Sequence, residues 1–155
     1  MTDSTIPARP NGMHVMTPHL ICRNAAEMMK FYKEAFDTEE MFCLPGNGGK
    51  IMNASLKLFG TSIMLVDEEP DYGYLSPRSL QGTPVTIHLY VNDADAVMEK
   101  AIAAGATVIL PLENMFWGDR YGVIEDPSGH RWSIATHIRD VSTDEMREGV
   151  MALRA

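Results

Sequence analysis

The chain matches itself at one fixed offset. His19-Leu20 returns as His88-Leu89, Asn24 as Asp93 and Gly60 as Gly129, each 69 residues further along, the difference between 88 and 19. The same offset relates Met64 to Ser133. A long repeat that occurs twice demands two copies of one supersecondary unit and excludes a solenoid of short repeats. Where two such halves meet a cleft can form, and the matched positions are those from which a shared site would be built.

A length of 155 residues suits one compact domain with two pseudo-equivalent halves. A net charge of −8 argues against nucleic acid or an anionic membrane surface as partner, since both need clustered Lys and Arg. No apolar run reaches the length of a membrane span. Residues 1–13 lack the apolar stretch of a signal peptide and read as a flexible polar tail, in keeping with a cytoplasmic protein. Cys22 and Cys43, on what read as neighbouring strands, are expected as free thiols, and no C-x-x-C zinc spacing occurs.

Residues 14–67 read as a first module. The run HVMTPHLIC (14–22) has strand character, with Thr17, His19 and Ile21 on one side and Pro18 implying an edge or a bulge. Asn24 with Glu27 forms a capping box, and Met28, Phe31, Tyr32, Ala35 and Phe36 follow the stripe of a helix with one buried face. Strands are expected at Met41–Leu44, near Ile51–Phe59 with Met52, Ala54, Leu56 and Leu58 alternating with polar residues, and at Ser62–Val66. Residues 68–84, acidic and rich in Pro, Gly and Ser, read as a linker loop and a flexible cleft rim.

Residues 85–138 repeat that order. A strand at 85–91 leads to Asp93 as N-cap, and a helix runs to about Ala104 with Val97, Ala101 and Ile102 inward. Gly105 suits the left-handed residue that closes it. Strands near Thr107–Leu112, Arg120–Glu125 and Arg131–Thr136 follow, the last two joined by the turn Asp126-Pro127-Ser128-Gly129. Residues 139–155 carry a terminal helix capped by Ser142 and Glu145, whose Met146, Val150 and Met151 would pack on the body or on another subunit. The fold class is α+β: two tandem βαβββ modules forming a curved mixed sheet around a cleft.

Two such modules ending in DPSGHRW resemble the vicinal oxygen chelate superfamily, the glyoxalase/bleomycin resistance protein/dioxygenase group, over residues 14–138. FYKEAF (31–36), GTPVTIHLYVND (82–93), FWGDRYG (116–122) and EDPSGHRWSIATH (125–137) are similar to its PhnB-like branch. The resemblance implies a homodimer and a small-molecule ligand in the inter-module cleft. Metal-dependent members place ligands seven residues before the helix-capping residue and four after the turn glycine of each module. Those positions are Thr17, Met64, Thr86 and Ser133 here, a set without the imidazole or carboxylate that Zn, Ni, Mn or Fe(II) want.

The expectation is therefore a binder without a cofactor, its cleft lined by His19, Met64, Thr86, His88, Phe116, Trp117, Arg120 and Ser133. The alternative is an enzyme of lyase, isomerase, transferase or dioxygenase type. In it His19 and His88, two residues along the same strands as Thr17 and Thr86, hold a divalent metal or act as general base. Proteins of this branch have carried a demethylubiquinone methyltransferase label, but no glycine-rich loop follows an initial strand here. Trp132 and Ile134 read as core, and His130 as a support of the turn. Asp119 and Arg120 read as a local ion pair, with an anionic substrate as the sharper role for Arg120. Met64, with Met52 or Met115, would make an adaptable apolar pocket.

Overall fold

Two four-stranded sheets of identical topology make up the computed structural model, which describes residues 5–154. The chain divides into two compact units between Gly82 and Thr83. In the first unit β1 (His19–Cys22), β2 (Glu39–Pro45), β3 (Ile51–Leu58) and β4 (Thr61–Asp67) lie in the order β1-β4-β3-β2, with α1 (Ala25–Phe36) after β1. The second has β5 (Thr86–Tyr90), β6 (Thr107–Asn114), β7 (Asp119–Glu125) and β8 (Arg131–His137) in the order β5-β8-β7-β6. A helix, α3 (Ala94–Ala104), follows β5, and α4 (Thr143–Leu153) follows β8. The first and last strands of each module run parallel and the remaining pairs antiparallel, so each unit is a βαβββ module of α+β class. No helix among the described residues is long and apolar enough to cross a membrane.

The repeated residues perform repeated jobs. Asn24 and Asp93 cap their helices, accepting from the amides of Glu27 (3.3 Å) and Ala96 (3.0 Å). Gly60 and Gly129 both take positive φ in the turn before the last strand, where a side chain would be strained. A further pair at the same offset ties each helix to its sheet. Asp67 accepts the Ala25 amide at 2.8 Å and the Ile51 amide at 2.6 Å, while Thr136 accepts the Ala94 amide and donates to the Val91 carbonyl, both at 2.9 Å. The bonds to Ala25 and Ala94 satisfy first-turn amides that a helix leaves open.

Each core lies between its helix and one face of its sheet. Met28, Phe31, Tyr32, Ala35 and Phe36 of α1 are buried, with Leu56, Leu58, Ile63 and Leu65 of the sheet beneath. Burial stabilises by about 1.5–3 kcal/mol for each large apolar side chain. Trp132, Ile134 and Ile124 are fully buried in the second unit. The inward face of α3 includes Ala101 as expected, with Ala94 and Met98 added and Val97 half-buried; Ile102, expected inward, is exposed. Capping at Asp93 starts the helix at Ala94, and the stripe that continues from Ala94 by four and then three residues runs through Met98 and Ala101.

Three other expectations change. Strand β1 begins at His19, so Thr17 precedes it: Pro18 has no amide to donate to the ladder, and its carbonyl accepts the Met64 amide at 2.9 Å. Cys22 and Cys43 lie on β1 and β2, the two edges of one sheet with β4 and β3 between them, and both are free thiols. Residues 68–84 carry their own order, a 3-10 turn at Pro70–Tyr72, a Glu69–Tyr74 bridge and the short helix α2 (Pro77–Leu80) capped by Ser76. Residues 1–4 of the N-terminal segment lie outside the described residues; residues 5–13 form a series of turns and bends.

Candidate functional site

Residues directly paired across strands point to the same side of a sheet. The face opposite the helix in the first unit therefore carries the row His19, Met64, Ser55 and Phe42. In the second it carries His88, Ser133, Val123 and Leu110. Register thus sets each histidine beside the fourth residue after the turn glycine, and Thr86 beside Arg131.

On the first unit this face holds a groove of about 860 Å3, lined by Thr17, Asn53, Ser55 and Met64, by Met41 and Phe42, and by residues 8–11 and 13–15. The segment before β1 makes one wall because Ser62 anchors it. Ser62 is fully buried; its Oγ accepts the His14 amide at 3.0 Å and lies 2.7 Å from Thr17 Oγ1 and 3.2 Å from His14 Nδ1. Thr17 also donates to the His14 carbonyl at 3.0 Å. Met64 lies in the groove, and Met41 rather than Met52 accompanies it. Met52 has the parity of Ala54 and Leu56, facing the other side. His19 stands beside Met64 in the row without lining the groove.

The second unit builds a different surface. His88 Nδ1 lies 2.6 Å from Ser133 Oγ, and its ring meets Tyr90 edge-on at 4.5 Å and stacks near Tyr121 at 5.9 Å. The ladder continues from Tyr121 to Trp117 at 5.5 Å and from Trp117 to Phe116 at 5.1 Å. Both of these last rings are half-buried. Arg131 lies 3.8 Å from Glu125, across the strand pair.

Arg120 does not pair with Asp119. Successive strand residues face opposite sides, so the two diverge. Arg120 instead makes a bidentate pair with Asp95 (2.6 and 2.8 Å) and bonds Asn114 at 3.2 Å. That pair holds the Asp95 carboxyl below its usual range and Arg120 above its own. Buried Asp119 accepts from the Tyr90 hydroxyl at 3.0 Å and lies 2.7 Å from His137 Nδ1. The bond to Asp119 raises Tyr90 above the ordinary phenol value. His137 Nε2 lies 2.8 Å from Asp140, and the Asp140 and Asp119 carboxylates together raise the imidazole above its usual 6.5.

The positions that hold metal in metal-dependent relatives of the fold offer a poor donor set. Thr17 Oγ1 is committed to His14 and Ser62, Ser133 Oγ to His88, and Met64 brings a thioether. Hard and borderline divalent ions want carboxylate or imidazole there. Among the described residues no group of three His, Cys, Asp or Glu side chains is arranged so that it could hold a metal ion.

Pattern reading missed Asn53, Ser55, Phe42 and the Arg9–Val15 wall. Alternation along β3 marks Asn53 and Ser55 as one face, but only register with Met64 shows that this face floors a groove. The wall could not be found from periodicity, because turns have none.

The profile of the Glyoxalase/Bleomycin resistance protein/Dioxygenase superfamily matches residues 13–134. An uncharacterized protein of Mycobacterium bovis is 46% identical over 135 residues, 85% of this chain and 89% of that protein. Among solved structures, TioX from Micromonospora sp. ML1 superposes with a TM-score of 0.65 at 23% identity, covering 79% of this chain and 98% of TioX. The PhnB protein of Bacillus cereus gives 0.58 at 17% identity, covering 79% and 99%. At these identities the two structures share the fold with this chain.

Proposed function

The chain belongs to the Glyoxalase/Bleomycin resistance protein/Dioxygenase superfamily, and from that premise we propose that it is a PhnB-like member that binds a small organic molecule without the superfamily's metal site. The groove of the first unit carries this reading. Its volume of about 860 Å3 falls in the range of small-molecule sites, roughly 300–1,000 Å3. It surrounds Thr17 and Met64, where metal-dependent proteins of this fold hold their ion, and fills those places with a spent hydroxyl and a thioether. The motifs at residues 31–36, 82–93, 116–122 and 125–137 support the branch. The proposal includes a homodimer, supported by Met146, Val150, Met151 and Leu153 of α4, which leave apolar surface uncovered.

One observation favours a second reading, an acid–base enzyme. His88 sits 2.6 Å from the Ser133 hydroxyl on an aromatic face, an arrangement in which an imidazole can accept a proton. Native mass spectrometry and metal analysis of the purified protein separate the two. The binding reading expects an organic molecule captured unchanged and no stoichiometric metal after titration with Zn, Ni, Mn or Fe(II). A stoichiometric metal lost in His19→Ala or His88→Ala, or turnover lost in His88→Ala, would replace it with the enzyme.

A further inference from the structure

We infer that the groove of the first unit recognises an amphipathic organic acid: an aromatic-sized apolar body, a hydrogen-bonding group for Asn53 and Ser55, and an anionic end for Arg9. This rests on the proposal that the groove binds a small molecule, and names the class of molecule.

Asn53 and Ser55 lie two apart on β3 and share the groove face. Ser55 is only 7% exposed, and its hydroxyl opens toward solvent in the groove without a hydrogen-bond partner among the described residues. Asn53 Oδ1 is buried without a donor, and the rest of its amide is also unpaired among the described residues. Buried polar groups are almost always satisfied, since leaving one unpaired costs its full desolvation. The contrast lies within the same groove, where His14 and Thr17 are fully engaged with Ser62. An orphaned buried acceptor at Asn53 and an open hydroxyl at Ser55, two residues apart on a concave floor, form a strip for a ligand's polar edge, and rotation of the Asn53 amide about χ2 offers it either end.

Charge sets the sign of the ligand. The protein carries −8 overall, yet no Asp or Glu lines this groove; its ionisable side chains are Arg9 and His14. Arg9 makes no ion pair among the described residues. A cationic ligand would meet no counter-charge here, whereas a carboxylate or sulfonate would meet a guanidinium that binds planar oxyanions well. Met13, Met41, Phe42 and Met64 supply the apolar remainder, three of them methionines that adapt to the shape of a ring system.

The test uses two fluorescent probes with one body. 8-Anilinonaphthalene-1-sulfonate has fused rings, an N–H donor and an anionic end; N-phenyl-1-naphthylamine lacks only the sulfonate. Met64→Trp, which fills the groove, should abolish binding of both. Arg9→Gln should weaken the sulfonate about tenfold and leave the neutral probe unchanged. Asn53→Leu and Ser55→Ala should each weaken both probes by roughly threefold to tenfold. Asn53→Leu should also hold or raise the thermal midpoint, because it removes an unsatisfied polar atom; a purely structural Asn53 would lower it. Loss in Met64→Trp with no effect of the other three substitutions overturns the organic-acid inference and leaves small-molecule binding in place. Full binding in Met64→Trp overturns both.

Discussion

The indole N–H of Trp132 donates to the Asp126 carboxylate at 2.9 Å, and both residues are fully buried. The other carboxylate oxygen accepts the amides of Ser128 and His130, each at 3.0 Å. One side chain thus closes the turn before β8 and anchors the largest core residue of the second unit. Asp126→Ala should lower unfolding stability by about 3 kcal/mol, since it strands an indole N–H and two amides together. Asp126→Asn, which keeps the shape and one acceptor, should cost roughly half of that. Urea denaturation monitored by Trp fluorescence checks both, and a change below about 0.5 kcal/mol for Asp126→Ala would remove the clasp from the account.

His137 makes stability depend on pH in a defined direction. Its folded value is raised, first by Asp140 and then by Asp119, above the ordinary 6.5. The contribution is therefore fully present below about 6.5 and is lost as pH rises through the raised folded value. Thermal midpoints of the protein and of His137→Gln should differ most near pH 6, above the carboxylate range, and converge as pH is raised. A difference that grows with pH would contradict the assignment.

Helix α4 rests on a glycine. A Cβ at Gly149 would collide with the Phe116 ring, so the helix lies close over Phe116 only while that position is bare. Gly149→Ala improves helix propensity by about 1 kcal/mol but introduces the collision. The expected outcome is a helix that forms yet lifts from Phe116. Limited proteolysis should then cut within residues 139–154 while the thermal midpoint of the body moves little; unchanged protection of α4 would show that the contact tolerates a methyl group.

The two-module architecture was legible because it rests on local chemistry repeated at one interval. Asn24 and Asp93 are helix caps in any context, Gly60 and Gly129 mark turns, and the stripe from Met28 to Phe36 has one helical solution. On α3 Ala101 was legible as inward, but Ile102, at the margin of the stripe that runs through Ala94, Met98 and Ala101, lies exposed. Thr17 looked like a strand residue until the missing amide of Pro18 delayed β1 to His19. The groove was least legible. Arg9 to Val15 are irregular backbone held by one buried hydroxyl, that of Ser62, whose partners lie more than 40 residues away in the chain. Strand parity separated Asp119 from Arg120, but which carboxylate Arg120 takes depends on a helix that sequence spacing does not bring near.

The place where a ligand touches the chain distinguishes the groove of the first unit from the His88 surface of the second. Amide correlation spectra recorded while small organic acids are titrated into the isotopically labelled protein address this directly. The predicted result is saturable shifts clustered at Thr17, Asn53, Ser55 and Met64, indifferent to added Zn or Ni. Shifts centred instead on His88 and Ser133, or appearing only once a divalent metal is present, would contradict it.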